Sequence, residues 1–255
     1  MKARATLVAL VPALLLAAVG CSSTDSPDSA PPGRGPDPKG SAGRTADAPG
    51  SPAAPAPGAP AASKSGGSRL ERSALEQGDL ADYQVSAQGK NPNAPNGQPQ
   101  ADKKACQPLA DIMGDKPDPA ARQTVNRGVG SQKQIGLAVS ASVSSYAESD
   151  AKALIARLKA AVAACATGFS ATVEKQTAGY REVRAAQYRT SGDESVSWTL
   201  TAAGQGVSAQ VHLVVAREGD TVVRLMALDV ASAERQVQVP QEVADKQLEK
   251  VERAR

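Results

Sequence analysis

The sequence has few of the side chains that most enzymes use. Its 255 residues include one histidine, His212. Transition-metal sites are built from clusters of Cys and His, so we expect no metal site and no cofactor. A Ser-His-Asp hydrolase would need His212 as its base, yet the nucleophile motif G-x-S-x-G is absent. His212 lies between Val211 and Leu213 of a predicted strand and points away from their face, so we expect it to be solvated or partly covered.

Aromatic residues and excess charge are also scarce. Aromatics make up 2% of the chain against 41% hydrophobic residues, so Val, Leu, Ile and Ala must fill the core. The formal net charge is +3, and without Lys2 and Arg4 there remain 27 basic against 26 acidic residues. Nucleic-acid binding normally needs a basic patch. The sequence therefore predicts no nucleic-acid partner.

Four acidic residues lie at predicted hairpin turns: Asp193, Glu194, Glu218 and Asp220. A glycosidase would use two carboxylates that face each other in a cleft. Acidic residues in turns are more often simply solvated, and we favour that interpretation. The sequence therefore predicts no catalytic residue, and it identifies no ligand-binding one.

The N-terminal segment predicts export and lipid attachment. Lys2 and Arg4 precede an apolar run that is too short for a permanent membrane anchor but typical of a secretory signal. The run ends in Ala18-Val19-Gly20-Cys21, which resembles a bacterial lipobox. We therefore predict a signal peptide over residues 1–20 and lipidation of Cys21. The lipobox resemblance implies more than one acyl chain, palmitate among them, which would anchor the protein to the outer face of the cytoplasmic membrane.

A low-complexity segment follows the lipobox. Residues 22–68 are dominated by Pro, Gly, Ser and Ala and lack Leu, Ile, Val and aromatics. Such a composition cannot bury enough apolar surface to order the chain. We predict a disordered tether over 21–68, counting the lipidated cysteine, and one folded domain over 69–255. The composition does not decide whether the tether's length is functional.

Periodicity within the domain predicts an α+β fold. Helices are expected over 69–77, 102–113, 150–166 and 241–254, where apolar residues recur every three or four positions. Strands separated by short turns over 169–229 predict an antiparallel meander. We expect one sheet of about five to seven strands with helices packed on one face.

Two cysteines remain for a disulfide. Export would place Cys106 and Cys165 in an oxidising compartment, where paired cysteines are normally bridged. Both fall on the apolar faces of predicted helices. The bridge would hold open a cleft for a ligand, or it would only stabilise a domain poor in aromatics; the sequence leaves both open.

Several motifs resemble a known family. The helix ending in Ala164-Cys165-Ala166-Thr167-Gly168-Phe169 is followed by Gly192-Asp193-Glu194-Ser195-Val196 and Val-rich strands, and an upstream helix carries Ala105-Cys106-Gln107-Pro108-Leu109. This order is similar to actinobacterial surface lipoproteins related to the extracellular sensor domain of the mycobacterial serine/threonine kinase H type. The resemblance covers about residues 69–235. It implies an antiparallel sheet, helices against it and a cleft for an unidentified ligand. The kinase sensor has two disulfides and this chain can form one, and the sequence contains no kinase domain.

Three hypotheses for the function follow. The first is a lipid-anchored envelope protein whose domain binds a small envelope ligand or a protein partner without catalysis. The second is a structural or accessory envelope protein with no small ligand. The third is a hydrolase with an unrecognised site. The sequence identifies neither the ligand nor the oligomeric state.

Overall fold

Nine strands form one antiparallel sheet. The computed structural model describes residues 68–88, 97–204, 206–229 and 236–255. The strands are β1 (Tyr83–Gln88), β2 (Gln100–Ala101), β3 (Gln123–Ser131), β4 (Leu137–Ser145), β5 (Phe169–Val173), β6 (Gln176–Ala185), β7 (Glu194–Gly204), β8 (Val207–Glu218) and β9 (Thr221–Asp229). Their order across the sheet is β1-β3-β4-β9-β8-β7-β6-β5-β2.

The strands from β5 to β9 form the predicted meander. β9 then pairs with β4, whose hairpin partner β3 pairs with β1. The expectation of about five to seven strands was too low. The edge strands account for part of the difference, because β2 is two residues long and β1 precedes a Pro- and Asn-rich stretch that predicts loop.

Four α-helices flank the sheet in the described part of the chain. They are α1 (Arg69–Ser73), α2 (Gln107–Met113), α3 (Glu148–Ala164) and α4 (Gln241–Arg253), and a 3-10 turn over Lys104–Cys106 leads into α2. α3 corresponds to the strongest predicted helix, 150–166, but it begins and ends two residues earlier. Ser68 caps α1, because its side-chain oxygen accepts from the Glu71 N–H at 3.3 Å.

The helices cover both faces of the sheet, so the expectation of helices on one face was wrong. On the α1/α4 face, Leu70, Leu75 and Leu248 join a core with inward residues of β3, β4, β8 and β9. On the α2/α3 face, Leu109 and Leu158 pack with residues of β5 to β8. β8 reflects this cover, because both of its faces are buried over most of its length. Such strands have near-continuous apolar sequences.

Helices from opposite ends of the domain meet on the α1/α4 face. Gln247 of α4 is fully buried. Its side-chain amide donates to the Ser73 carbonyl at 2.6 Å and its oxygen accepts from the Leu75 N–H at 3.3 Å. These bonds satisfy the buried backbone groups where α1 ends.

A disulfide links the two helices of the other face. Cys106 and Cys165 are bridged, with an S–S distance of 2.00 Å and a Cα–Cα distance of 5.8 Å. The bridge joins the turn before α2 to the residue after α3, in the same buried cluster as Trp198. The disulfide expected from the sequence is therefore present.

The predicted signal peptide, Cys21 and nearly all of the tether lie outside the described residues. The division of the chain into these parts and a domain over 69–255 stays a prediction. Among the described residues, no helix has the length and apolar character needed to cross a membrane.

Candidate functional site

A polar groove lies on the part of the α2/α3 face that the long helix leaves open. α3 packs mainly on β6, β7 and β8. On β4, Val139, Ala141 and Val143 point into the opposite core, so the serines between them point to the α2/α3 face. We call this cavity the serine groove. It is lined chiefly by Gln88, Thr124, Asn126, Ser140, Ser142, Ser144, Tyr146 and Arg224, with residues 114–117 at its rim.

The floor of the serine groove contains a continuous polar row. The strand register places Gln88 opposite Asn126, Asn126 opposite Ser142, and Ser142 opposite Arg224. These four side chains come from adjacent strands about 4.8 Å apart, so the row spans about 14 Å. The whole groove has a volume of about 810 Å³, within the usual range for small-molecule sites.

Arg224 forms one end of this row, and it is 4% exposed. Its Nε donates to Ser142 Oγ at 2.9 Å, and its Nη1 donates to the Ile112 carbonyl at 3.3 Å. Its Nη2 lies 3.4 Å from Ser140 Oγ and 2.6 Å from the Asp115 carboxylate. The side chain is therefore held rigidly from β4 and from α2.

Burial disfavours the charged states of Arg224 and of the neighbouring Tyr146. Desolvation lowers the pKa of Arg224, and Asp115 opposes that shift. Burial also raises the pKa of the Tyr146 phenol to about 12, so Tyr146 is neutral at physiological pH. Arg224 stays charged because a buried charge is tolerated when it is paired and hydrogen-bonded.

Two further groups shape the floor. The Oδ1 atom of Asn126 is buried and has no hydrogen-bond partner in the described structure. A Cβ built on Gly128 would lie 2.3 Å from Nε2 of Gln88, so only glycine allows that amide to lie across β3. Buried acceptors are normally paired, which makes the Asn126 oxygen a point where a ligand donor would fit.

The rim of the groove is a short loop after α2. Asp115 adopts a left-handed φ of 58° there, a conformation that Asp tolerates better than most residues. Its side chain is 61% exposed although its partner Arg224 is buried. A hydrogen bond within α2 stabilises the helix that precedes this loop. The Gln107 side-chain amide donates to the buried Asp111 carboxylate at 2.7 Å. Burial raises the pKa of Asp111.

His212 does not occupy the environment expected from the sequence. It points away from Val211 and Leu213, but it is 1% exposed because the α1/α4 face is covered as well. Its Nδ1 accepts from the Val239 N–H at 2.9 Å, and its Nε2 lies 3.4 Å from Ser197 Oγ. Burial lowers its pKa to about 4. This side chain is a neutral part of the core, remote from the serine groove.

The four turn acids pair with arginines instead of facing each other. Asp193 and Glu194 contact Arg217 at 2.8 and 3.3 Å, Asp220 contacts Arg69 at 2.8 Å, and Glu218 contacts Arg255. Their arrangement does not match the opposed carboxylates of a glycosidase.

A second cavity lies beyond the end of α2. It measures about 450 Å³ and is largely apolar, with Met113, Ala171, Val173 and Tyr180 among its walls. Gly114 borders both cavities. In the described part of the chain, no group of three or more His, Cys, Asp or Glu side chains is placed to hold a metal ion.

The sequence contains one signal for this site. Arg224 lies between Val223 and Leu225 in a strand that is otherwise almost wholly apolar. A charged residue in such a strand must find a buried partner. The serines of β4 gave no comparable signal, because Ser alternating with Val and Ala is equally typical of a solvated strand face.

Comparisons with known proteins return distant structural likenesses. No protein-family model and no curated protein matches the chain. The extracellular domain of PknH from Mycobacterium tuberculosis is similar over 73% of this chain and 94% of its own, at 12% identity and a TM-score of 0.43. An uncharacterized protein from Mycobacterium smegmatis is similar over 69% of this chain and 90% of its own, at 10% identity and a TM-score of 0.37. The resemblance to the kinase sensor domain is thus confirmed as a resemblance, and at these values it says nothing about ligand or activity.

Proposed function

We propose that this protein is an exported lipoprotein, anchored through Cys21, whose domain binds an envelope ligand in the serine groove without catalysis. The observation that carries the proposal is the polar row across β1, β3, β4 and β9 with the buried Arg224 at one end. Burying an arginine under a solvent-accessible groove is costly unless its charge is used or neutralised.

Two further observations support the proposal. The Cys106–Cys165 bridge is typical of proteins from oxidising compartments, which agrees with the lipobox motif. Among the described residues that line the serine groove there is no histidine, and the two carboxylates, Glu71 and Asp115, are each paired with an arginine. The hydroxyl, amide and guanidinium groups of its floor are suited to recognition.

The proposal is tested by obstructing the groove at its mouth. Thr124 is exposed and lines the groove, so Thr124→Trp should fold and fill part of the cavity. Gln123 is exposed on the same strand and points to the opposite face, so Gln123→Trp is the matched control. Each protein would be purified from its native envelope, and co-purified small molecules would be identified by mass spectrometry.

We expect a molecule that accompanies the wild type and Gln123→Trp and is lost from Thr124→Trp. A molecule retained by all three proteins would place the binding elsewhere. The absence of any co-purified molecule from the wild type, together with no binding of added envelope extract fractions, would contradict the proposed function.

A further inference from the structure

The two side chains of the ion pair between Arg224 and Asp115 differ in solvent exposure. Arg224 is 4% exposed and is held by Ser142 and the Ile112 carbonyl as well as by the carboxylate. Asp115 is 61% exposed and stands on the rim loop. One partner is therefore fixed in the floor of the serine groove, while the other reaches it from the solvent side.

This asymmetry determines which partner can be replaced. Arg224 cannot lose its counter-ion without leaving a buried charge unpaired, which is strongly unfavourable. Asp115 loses much less on release, because its carboxylate is already largely hydrated. A second carboxylate that enters the groove can therefore take the place of Asp115 while the charge at the floor stays balanced.

The other side chains of the polar row indicate which groups the ligand carries in addition to its anionic group. Ser142 and Gln88 offer both donors and acceptors, and the Asn126 oxygen needs a donor. Hydroxyl groups satisfy all three, because each hydroxyl donates one hydrogen bond and accepts others. The row is about 14 Å long, which suits a short chain of sugar rings better than a single small ion.

We infer that the serine groove takes an acidic, hydroxyl-rich molecule of the sugar-acid class, and that Asp115 is a resident counter-ion which the ligand's anionic group displaces from Arg224. The inference rests on the proposed function and adds the class of ligand and the exchange that admits it. A neutral sugar offers no replacement for Asp115 and is expected to bind weakly.

The test uses glucuronate, glucose and glucose 6-phosphate as probes in isothermal titration calorimetry with the whole mature protein. Asp115→Asn removes the competing carboxylate and should bind glucuronate at least tenfold more tightly than the wild type. Asp118→Asn is the matched control, because Asp118 lies in the same segment and pairs with Arg157 at 2.7 Å, away from Arg224. It should bind as the wild type does. Tighter binding of glucose 6-phosphate than of glucuronate would identify the anion as a phosphate and uphold the exchange.

Three results would overturn the inference. They are equal affinity for glucose and glucuronate, unchanged glucuronate affinity in Asp115→Asn, and no binding of either anionic probe to either protein. If Asp115→Asn does not fold alone, millimolar glucuronate should restore folding and glucose should not; equal effects of the two would count against the exchange. The proposed function is judged separately by the co-purified molecule and its loss in Thr124→Trp, so the class of ligand and the exchange can fail while the proposed function stands.

Discussion

Removing the disulfide should cost stability and leave the serine groove intact. The bridge closes a segment with a sequence separation of 59 residues. The chain-entropy model gives about 4 kcal/mol at 25 °C for a loop of that length. Domains are typically stable by about 5–15 kcal/mol, so Cys106→Ala/Cys165→Ala should lose a large part of its free energy of unfolding.

The structure indicates why binding should survive. The bridge holds the beginning of α2, whereas the groove is bordered by its other end. There, Ile112 is buried and its carbonyl accepts from Arg224. Leu109 is also fully buried. In the folded variant these contacts should keep the groove in place, so we favour the stabilising role of the disulfide over a role in framing the cleft.

Urea unfolding measured by tryptophan fluorescence suits this test. Trp198 is the single tryptophan of the chain, and it is fully buried in the same core cluster as the bridge. The wild type with reductant is the control, since it retains both sulfur atoms and separates the loss of the cross-link from the loss of side-chain packing.

Several results would refute this reasoning. A loss below about 1 kcal/mol in both the variant and the reduced wild type would contradict the entropic account. Peptide mapping without reductant that finds two free thiols would remove its basis. Loss of glucuronate binding in a variant that is still folded would show that the bridge frames the groove after all.

Two further predictions concern the anchor and the buried histidine. Cys21→Ser should release the protein from membranes or leave it unprocessed, as cell fractionation and gel migration would show; behaviour identical to wild type would contradict lipidation. The His212 pKa is lowered from 6.5 to about 4, so its contribution to stability is present above pH 6.5 and is lost as the pH falls from there towards 4. Urea unfolding at pH 7 and pH 5 should show a smaller acid loss in His212→Gln than in wild type, the difference being at most about 2 kcal/mol over that interval; equal losses would mean that His212 is not buried in the neutral form.

Local patterns in the sequence predicted most of the elements. The amphipathic spacing of α3 depends on neighbours within a few residues, and this helix forms close to where it was expected. The strands β5 to β9 also form within the predicted range 169–229. The pairing of Cys106 with Cys165 was also expected, because the lipobox cysteine leaves only these two thiols. The edge strand β2 was missed, since two residues carry no periodic signal.

The layering of the domain was decided by contacts between distant parts of the chain. β4 pairs with β9, which places Ser142 beside Arg224 although 82 positions separate them. α1 and α4 cover the second face from opposite ends of the domain, and His212 is in contact with Val239 and Tyr188 on that face. Each helix shows that one of its sides is apolar, but its sequence does not show which face of the sheet it will cover.

The sequence by itself therefore determined most of the elements, the disulfide and the absence of a recognisable catalytic motif, because each depends on residue type and local spacing. Only the tertiary structure decided the nine-strand order, the helices on both faces and the serine groove. The groove exists because α3 covers one half of a sheet face and leaves the other half open. That division depends on how long the helix is relative to the sheet and where it packs, and no local pattern in Ser140, Ser142 and Ser144 encodes either quantity.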